Sequence, residues 1–201
     1  MPTLSEARDH VRLALEDLTS TPLWSEDEID AGLRQSLERY SQRVPKELTI
    51  EVHVDEGDSS ITLPTGARRV LRVIDPGGGV IPPQTIPLRG TAGAEQSWEV
   101  WGDRVEFARR LPAGNVEIRY LGPRTFPPDD ESEMPLLADD LSLLILGAVR
   151  WCLEQRAIAD WKRGSLPARY EMVLRRAQEN EQAAWRTRER RINTGRVLGT
   201  S

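Results

Sequence analysis

The sequence has few of the residues that build metal centres and covalent catalytic sites. Among 201 residues there is one cysteine, Cys152, and there are two histidines, His10 and His53. A single cysteine excludes an intrachain disulfide, and two isolated histidines provide neither a metal-ligand cluster nor the neighbouring groups that a general base needs. We therefore predict that the protein is not an enzyme and that it binds no metal or organic cofactor.

Long hydrophobic runs are also missing. The most apolar stretch, residues 141–153, is interrupted by polar side chains and is shorter than the roughly 18 apolar residues of a membrane-spanning helix. We expect a buried helix there and no membrane partner. The triglycine at residues 77–79 is not followed by the lysine and helix start of a phosphate-binding loop, so we interpret it as a connection between strands.

Charge is distributed unevenly along the chain. The formal net charge is −5, yet the residues from Arg150 onward contribute twelve basic and only six acidic side chains. The part of the chain before Arg150 is therefore strongly acidic. This asymmetry fits a charged partner or copies of the chain that meet at opposite ends, and it equally fits two solvated helix faces.

Two helices are predicted at the N-terminal end. Thr3 with Glu6, and Ser25 with Glu28, have the spacing of capping boxes. After Ser25 the apolar residues recur at helical spacing and form one stripe: Ile29, Leu33, Leu37, Tyr40 and Val44. We predict an amphipathic helix that ends at Pro45, since the residue before a proline is pushed out of the α region.

Between residues 47 and 122 the apolar period shortens from 3.6 to 2. The alternation is clearest in one run: Leu48, Ile50, Val52 and Val54. Gly102 and Asp103 separate two short apolar runs as the turn of a hairpin. These patterns predict an antiparallel β-module of five to seven strands, in which Trp98 and Trp101 point to opposite faces.

Two further helices follow a linker rich in proline and acidic residues. Pro135 is predicted to begin a strongly apolar central helix, with Asp139 and Asp140 in its first turn. The fourth helix is predicted after Gly164, with its apolar residues on one face: Tyr170, Val173, Leu174, Ala177, Ala184 and Trp185. The remaining chain has too little apolar surface to fold alone, so we expect it to be ordered only against a partner.

The order of elements predicts an α+β protein. It is a helical bundle built from both chain ends, with an inserted antiparallel β-module and an extended C-terminal tail. The predicted domains are an N-terminal helical hairpin, the β-module, a linker with the C-terminal helices, and a basic tail, which span residues 1–46, 47–122, 123–185 and 186–201.

Three parts of the chain resemble head–tail connector (adaptor) proteins of long-tailed bacteriophages. They are TSTPLWSEDEIDAGLRQSLERYSQRVP at residues 19–45, the interposed β-segment, and LLADDLSLLILGAVRWCLEQRA at residues 136–157 with the arginine-rich helix and tail that follow. The resemblance implies a structural virion protein that forms a homo-oligomeric ring, commonly a dodecamer, under the portal at the head–tail junction. Connectors of this kind are often mostly helical, so the large β-module departs from their simplest pattern.

The resemblance also implies the surroundings of such a ring. It is assembled in the host cytoplasm, and genomic DNA passes through its channel without sequence-specific binding. Its partners are further copies of the chain, the portal protein, and a tail-side connector or tail tube protein.

The resemblance implies that the C-terminal segment docks on the portal or a neighbouring subunit. The candidate partner-binding residues are Arg186, Arg188, Arg190, Arg191, Ile192, Arg196, Val197 and Leu198. Their guanidinium groups would meet acidic surface, and their apolar side chains would fill pockets.

Two alternatives stay open. One is another phage tail or baseplate protein whose β-module binds a carbohydrate or another tail protein. The other is a nucleic-acid-binding protein that uses the basic arm.

Overall fold

A computed structural model describes residues 2–19, 22–84, 96–137, 139–163 and 168–198, and for residues 168–170 and 192–198 it describes the backbone only. The chain divides into two compact units. The helical unit groups Met1–Arg43 with Arg124–Ser201, and the β unit is Val44–Pro123. The α+β class predicted from the sequence is confirmed.

The described residues of the helical unit form four helices. They are α1 (Leu4–Ala14), α2 (Glu26–Arg43), α3 (Leu141–Lys162) and α4 (Ala168–Leu198). Helix α3 packs against the other three helices, so its predicted central position is confirmed. Its predicted start is wrong, because α3 begins at Leu141 with Asp140 as its N-cap residue. The described segment before α3 is not helical and is held by a backbone contact with the N-terminal end of the chain, since the Met134 N–H donates to the Pro2 carbonyl at 2.8 Å.

Both predicted capping boxes are present. The Ser25 hydroxyl accepts from the Glu28 N–H at 3.2 Å, and the Glu28 carboxylate accepts from the Ser25 N–H at 2.9 Å. Thr3 and Glu6 make the same reciprocal bonds at the start of α1. Four residues of the predicted α2 stripe are buried in the helix: Ile29, Leu33, Leu37 and Tyr40. Local hydrogen bonds and one apolar stripe thus account for where α2 begins and which side it buries.

Helices α2 and α3 approach each other very closely. Gly32 has no side chain at a point where the Cys152 sulfur would lie 3.1 Å from an added Cβ. One turn further along α2, the Ser36 hydroxyl donates to the Leu144 carbonyl at 2.8 Å. A Cβ on Gly147 would overlap the Ser36 hydroxyl. Small residues on both helices therefore set their separation, and any larger side chain at the crossing would force them apart.

The described residues of the β unit form seven strands. They are β1 (Lys46–Val54), β2 (Ser60–Thr62), β3 (Arg69–Ile74), β4 (Val80–Ile81), β5 (Trp98–Trp101), β6 (Arg104–Phe107) and β7 (Gly114–Gly122). One sheet has the order β1-β7-β3-β4 and the other has the order β2-β6-β5. Side chains from both sheets form a separate core, with Val73, Val105, Val116 and Ile118 fully buried.

The two predicted turns of the β unit have clear physical causes. Gly102 has a φ of +62° and turns β5 into β6, a conformation that glycine adopts at little cost. The Gly79 N–H donates to the Asp75 carboxylate at 2.8 Å and closes the turn between β3 and β4. The predicted opposite orientation of Trp98 and Trp101 is confirmed, since their exposed fractions are 6% and 71%.

The predicted extended tail is wrong for the residues that the structure describes. Helix α4 continues to Leu198 without a break at Trp185. Arginine and glutamate favour the helix, and Arg188 and Arg191 of this segment bind the buried Asp140. The prediction considered only the stabilisation that apolar side chains provide, so it omitted these ionic contacts. The side chains of Ile192, Arg196, Val197 and Leu198 lie outside the described residues.

We expect Gly147→Ala to lower the free energy of unfolding by about 1–3 kcal/mol, because the added methyl group overpacks the α2–α3 crossing. Urea unfolding followed by circular dichroism measures the loss. Adding Ser36→Gly should recover part of it by removing the atom that the methyl group strikes. An unchanged midpoint for Gly147→Ala would mean that the helices are not this close.

Candidate interaction surface

A buried carboxylate lies where α2, α3 and α4 meet. Asp140 is 2% exposed and accepts three hydrogen bonds through its side chain. The Tyr40 hydroxyl and the Arg188 Nε each donate to Oδ2 at 2.7 Å, and the Arg191 Nη2 donates to Oδ1 at 3.2 Å. We call these four residues the Asp140 network. Burial of a carboxylate is costly unless it is paired and hydrogen-bonded, and here both oxygens are satisfied.

Each member of the Asp140 network is placed by its own helix. Tyr40 is the last member of the buried stripe within α2, which brings its hydroxyl to the start of α3. Asp140 makes no side-chain capping bond, which leaves both of its oxygens available to α4. Arg188 reaches Asp140 while Glu181, about two turns earlier on α4, reaches Arg150 on α3. This antiparallel register of α3 and α4 carries the C-terminal arginines to the acidic N-cap of α3.

An aromatic and cationic layer extends from the Tyr40 end of the Asp140 network. The Tyr40 and Trp185 rings have centroids 6.0 Å apart, and the Arg43 guanidinium lies 4.5 Å from the centroid of the Trp185 ring. Burial raises the pKa of the Tyr40 hydroxyl above its ordinary value, and the hydrogen bond to Asp140 acts in the same direction. The hydroxyl therefore stays protonated at neutral pH and remains a donor.

Beside this layer is a cleft of about 660 Å³ between α2, α3 and α4. It is lined by Arg39, Arg43, Arg150, Gln178, Glu181, Gln182, Trp185, Arg186 and Glu189, and we call it the arginine cleft. Arg150 Nε lies 2.6 Å from Glu181 Oε2, but among the described residues it has no partner in hydrogen-bond geometry. Four guanidinium groups against two carboxylates leave the lining positively charged, which suits an anionic ligand.

The structure separates the arginines of the predicted partner-binding set. Arg186 is exposed and lines the arginine cleft, and Arg190 is exposed on the same helix. Arg188 is 9% exposed and bound to Asp140, and Arg191 contacts both Asp139 and Asp140. Arg188 and Arg191 therefore hold α4 to the helical unit, which is a role that the sequence pattern did not indicate.

Sequence reasoning did not find the Asp140 network, although three signals pointed towards it. Tyr40 is the one member with a polar group in an otherwise aliphatic stripe, so its hydroxyl needs a buried partner. Asp140 directly precedes the most apolar helix of the chain, and Arg188 and Arg191 are three residues apart on one helix face. None of these signals says which acid meets which base, because the partners are far apart in sequence.

The isolated histidine and cysteine of the described residues have ordinary surroundings. No group of three or more possible ligands occurs within the described ranges. His53 faces solvent beside Asn115, with 3.0 Å between His53 Nδ1 and Asn115 Oδ1. Cys152 is buried, and burial raises the pKa of its thiol to about 12, so a nucleophilic thiolate is disfavoured. In the part of the chain that the structure describes, no helix has the length and apolarity needed to span a membrane.

We expect Asp140→Asn to lower the free energy of unfolding by about 3–5 kcal/mol, because Arg188 would be left buried without a counter-charge. The matched control is Asp139→Asn on the adjacent residue, whose side chain is 75% exposed. It should cost less than about 1 kcal/mol. Urea unfolding of both variants measures the difference, and equal losses would show that the Asp140 network does not hold α4.

The buried thiol predicts a loss of stability at alkaline pH. The pKa of Cys152 rises from 9.0 to about 12 on folding, so unfolding lets the thiol ionise once the pH exceeds about 9. Its contribution to stability is complete below about pH 9 and should fall as the pH rises towards about 12. The urea midpoint of wild type should therefore drop more between these values than that of Cys152→Ala. Parallel pH dependences would show that the thiol is solvated in the native state.

Comparison with protein families gives a match over almost the whole chain. The family model for the SU10 adaptor protein matches residues 2–198 of the chain. No curated protein sequence matches the chain significantly.

Proposed function

The chain belongs to the SU10 adaptor protein family, and on that premise we propose that it forms a homo-oligomeric ring that joins the portal to the tail and lets DNA pass. Membership places it among the structural adaptors of bacteriophage virions, whose partners are portal and tail proteins. The match over residues 2–198 is the observation that carries the proposal, because it spans both the helical unit and the β unit.

The packing of the helical unit supports the role of a rigid ring subunit. Its helices are fixed by capping boxes, by the close crossing of α2 and α3, and by the Asp140 network. A ring subunit needs a rigid body because each copy transmits its geometry to the next one. Rings of this kind use two different surfaces of each copy, and the uneven charge of the chain fits such a contact.

The second part of the proposal concerns the C-terminal end of α4. Arg188 and Arg191 anchor this helix through Asp140, so the docking residues are Arg186, Arg190 and the last turns, which include Ile192, Arg196, Val197 and Leu198. In this proposal the C-terminal end of α4 binds the portal or an adjacent subunit through these residues. Arg188 and Arg191, which also belong to the predicted set, position the helix in this arrangement.

Exposed apolar side chains on the β unit support an alternative role. Trp101 is 71% exposed and Val100 is 45% exposed at the end of β5, beside the Gly102 turn. Exposed tryptophan is typical of binding surfaces. A tail or baseplate protein that binds a carbohydrate or another tail protein through this edge is the second candidate. Attachment of the helical unit to portal rings would favour the adaptor role over it.

We expect truncation after Arg191 to abolish attachment to portal rings while shifting the melting temperature by only a few degrees. The truncated chain keeps both arginines of the Asp140 network and loses the predicted docking residues that follow them. Negative-stain imaging of mixtures with purified portal rings measures attachment, and thermal unfolding measures stability. Truncation after Leu198 is the control and should bind like the full chain.

Two outcomes would change the proposal. If the chain truncated after Arg191 still binds portal rings with native affinity, the C-terminal end of α4 is not the docking element. If the full chain fails to bind portal rings but binds duplex DNA at physiological salt, and truncation removes that binding, the basic arm serves nucleic acid instead.

A further inference from the structure

The helical unit has an acidic surface as well as the arginine cleft. Residues 127–133, which we call the acidic segment, contain four acidic side chains and no basic one. We propose that the acidic segment of one copy binds the arginine cleft of the next copy and so forms the head-to-tail contact of the ring. This inference rests on the proposed ring function and names the two surfaces that would meet.

The arginine cleft has positive charge that the chain itself does not neutralise. Among the described residues, Arg39 and Arg186 make no ion pair, whereas Arg150 is paired with Glu154 and Glu181. The amides of Gln178 and Gln182 also line the cleft and can bond to a peptide backbone. A volume of about 660 Å³ is sufficient for several side chains of a bound segment.

The acidic segment is held in place before any partner arrives. The Leu4 N–H donates to the Ser132 carbonyl and the Ser5 N–H donates to the Asp130 carbonyl, both at 3.1 Å. Arg8 Nη1 lies 2.7 Å from Asp130 Oδ1, while Glu131 is exposed. A preorganised segment loses little conformational entropy on binding, which favours its use as an interface element.

The two surfaces adjoin opposite faces of α2. Arg8 binds both Asp130 of the acidic segment and Asp30 of α2, so the acidic segment lies on the Asp30 side of that helix. Arg39 of the cleft is nine residues after Asp30, and nine steps of about 100° correspond to two and a half turns. One copy is therefore not placed to join its own two surfaces, and a contact between them joins two copies head-to-tail.

A carboxylate-bearing peptide fits the cleft better than the phosphate backbone of DNA. Glu181 and Glu189 belong to its walls, so a bound anion must place its charge near Arg39 and Arg186 and away from these two carboxylates. Individual side chains of a short segment can be placed in this way, whereas the phosphates of DNA follow one another at a fixed spacing. The cleft is also a recess, whereas a DNA channel would present its arginines on an open face. A second copy of the chain supplies the matching acidic segment without any other protein.

The test exchanges charges in the full-length chain. Arg39→Glu and Glu131→Arg should each lower self-association at least about tenfold, because each places like charges together. The double variant should restore self-association, since Glu at position 39 and Arg at position 131 again carry opposite charges. Native mass spectrometry and sedimentation at low ionic strength measure assembly. Glu38→Arg, an exposed position beside Arg39 on α2, is the control and should assemble like wild type.

A second measurement does not depend on ring formation. A fluorescent peptide of residues 125–135 should bind the full chain, and Arg39→Glu should weaken this binding at least about tenfold. The control peptide has amides in place of its four carboxylates and should not bind. Adding a DNA duplex to the same assay tests for phosphate binding: displacement of the peptide by the duplex would show that the cleft prefers phosphate.

Each outcome decides between the two proposals. If rings form and Arg39→Glu leaves them intact, the contact is wrong and the ring function stands. If no rings form while the peptide binds through Arg39, the contact stands and the ring function fails. If neither occurs, both are wrong. If duplex DNA binds through Arg39 and the peptide does not, the cleft is a nucleic-acid site and the contact is overturned.

Discussion

The pairing of Asp140 with Arg188, Arg191 and Tyr40 is the interaction on which the arrangement of the helical unit depends. It is the point where the end of α2, the start of α3 and the C-terminal part of α4 are joined by hydrogen bonds to one carboxylate. A buried ion pair adds little net stability, but breaking it is expensive because one charge remains in a low dielectric. The network therefore specifies where α4 lies more than it strengthens the fold.

Close packing supplies the second constraint on this unit. Gly32, Ser36 and Gly147 allow α2 and α3 to approach almost to backbone contact, and this brings Tyr40 within reach of Asp140. On the other side of α2, Arg8 binds Asp30 with two hydrogen bonds of 2.7 and 2.9 Å. The hydrogen bond to Asp30 is the main cause that raises the pKa of Arg8, with Asp130 adding to it. Helix α2 is thus held on both of its sides, by α3 on one side and by Arg8 of α1 on the other.

The same helix, α4, combines anchoring and contact residues. Arg188 and Arg191 face Asp140, while Arg186 faces the arginine cleft. Residues three apart on a helix share a face and residues two apart do not, so one arginine-rich segment can do both. An adaptor needs this combination because its docking element must be attached firmly to its own subunit before it can join another protein. The β unit has its own core and is built independently of these contacts.

The sequence alone determined the features that depend on near neighbours. The capping boxes at Thr3 and Ser25, the buried stripe of α2, the period-2 strands and the Gly102 turn all follow from residues within a few positions of each other. The α+β class, and the resemblance to phage adaptors, could be predicted from the order of these elements. Only the tertiary structure decided that the C-terminal arginines continue a helix and that two of them meet the buried Asp140. Those features depend on pairs such as Tyr40 with Asp140 and Arg188 with Asp140, which are 100 and 48 residues apart. Local pattern has no information about such pairs, because their partners are chosen by how whole helices pack.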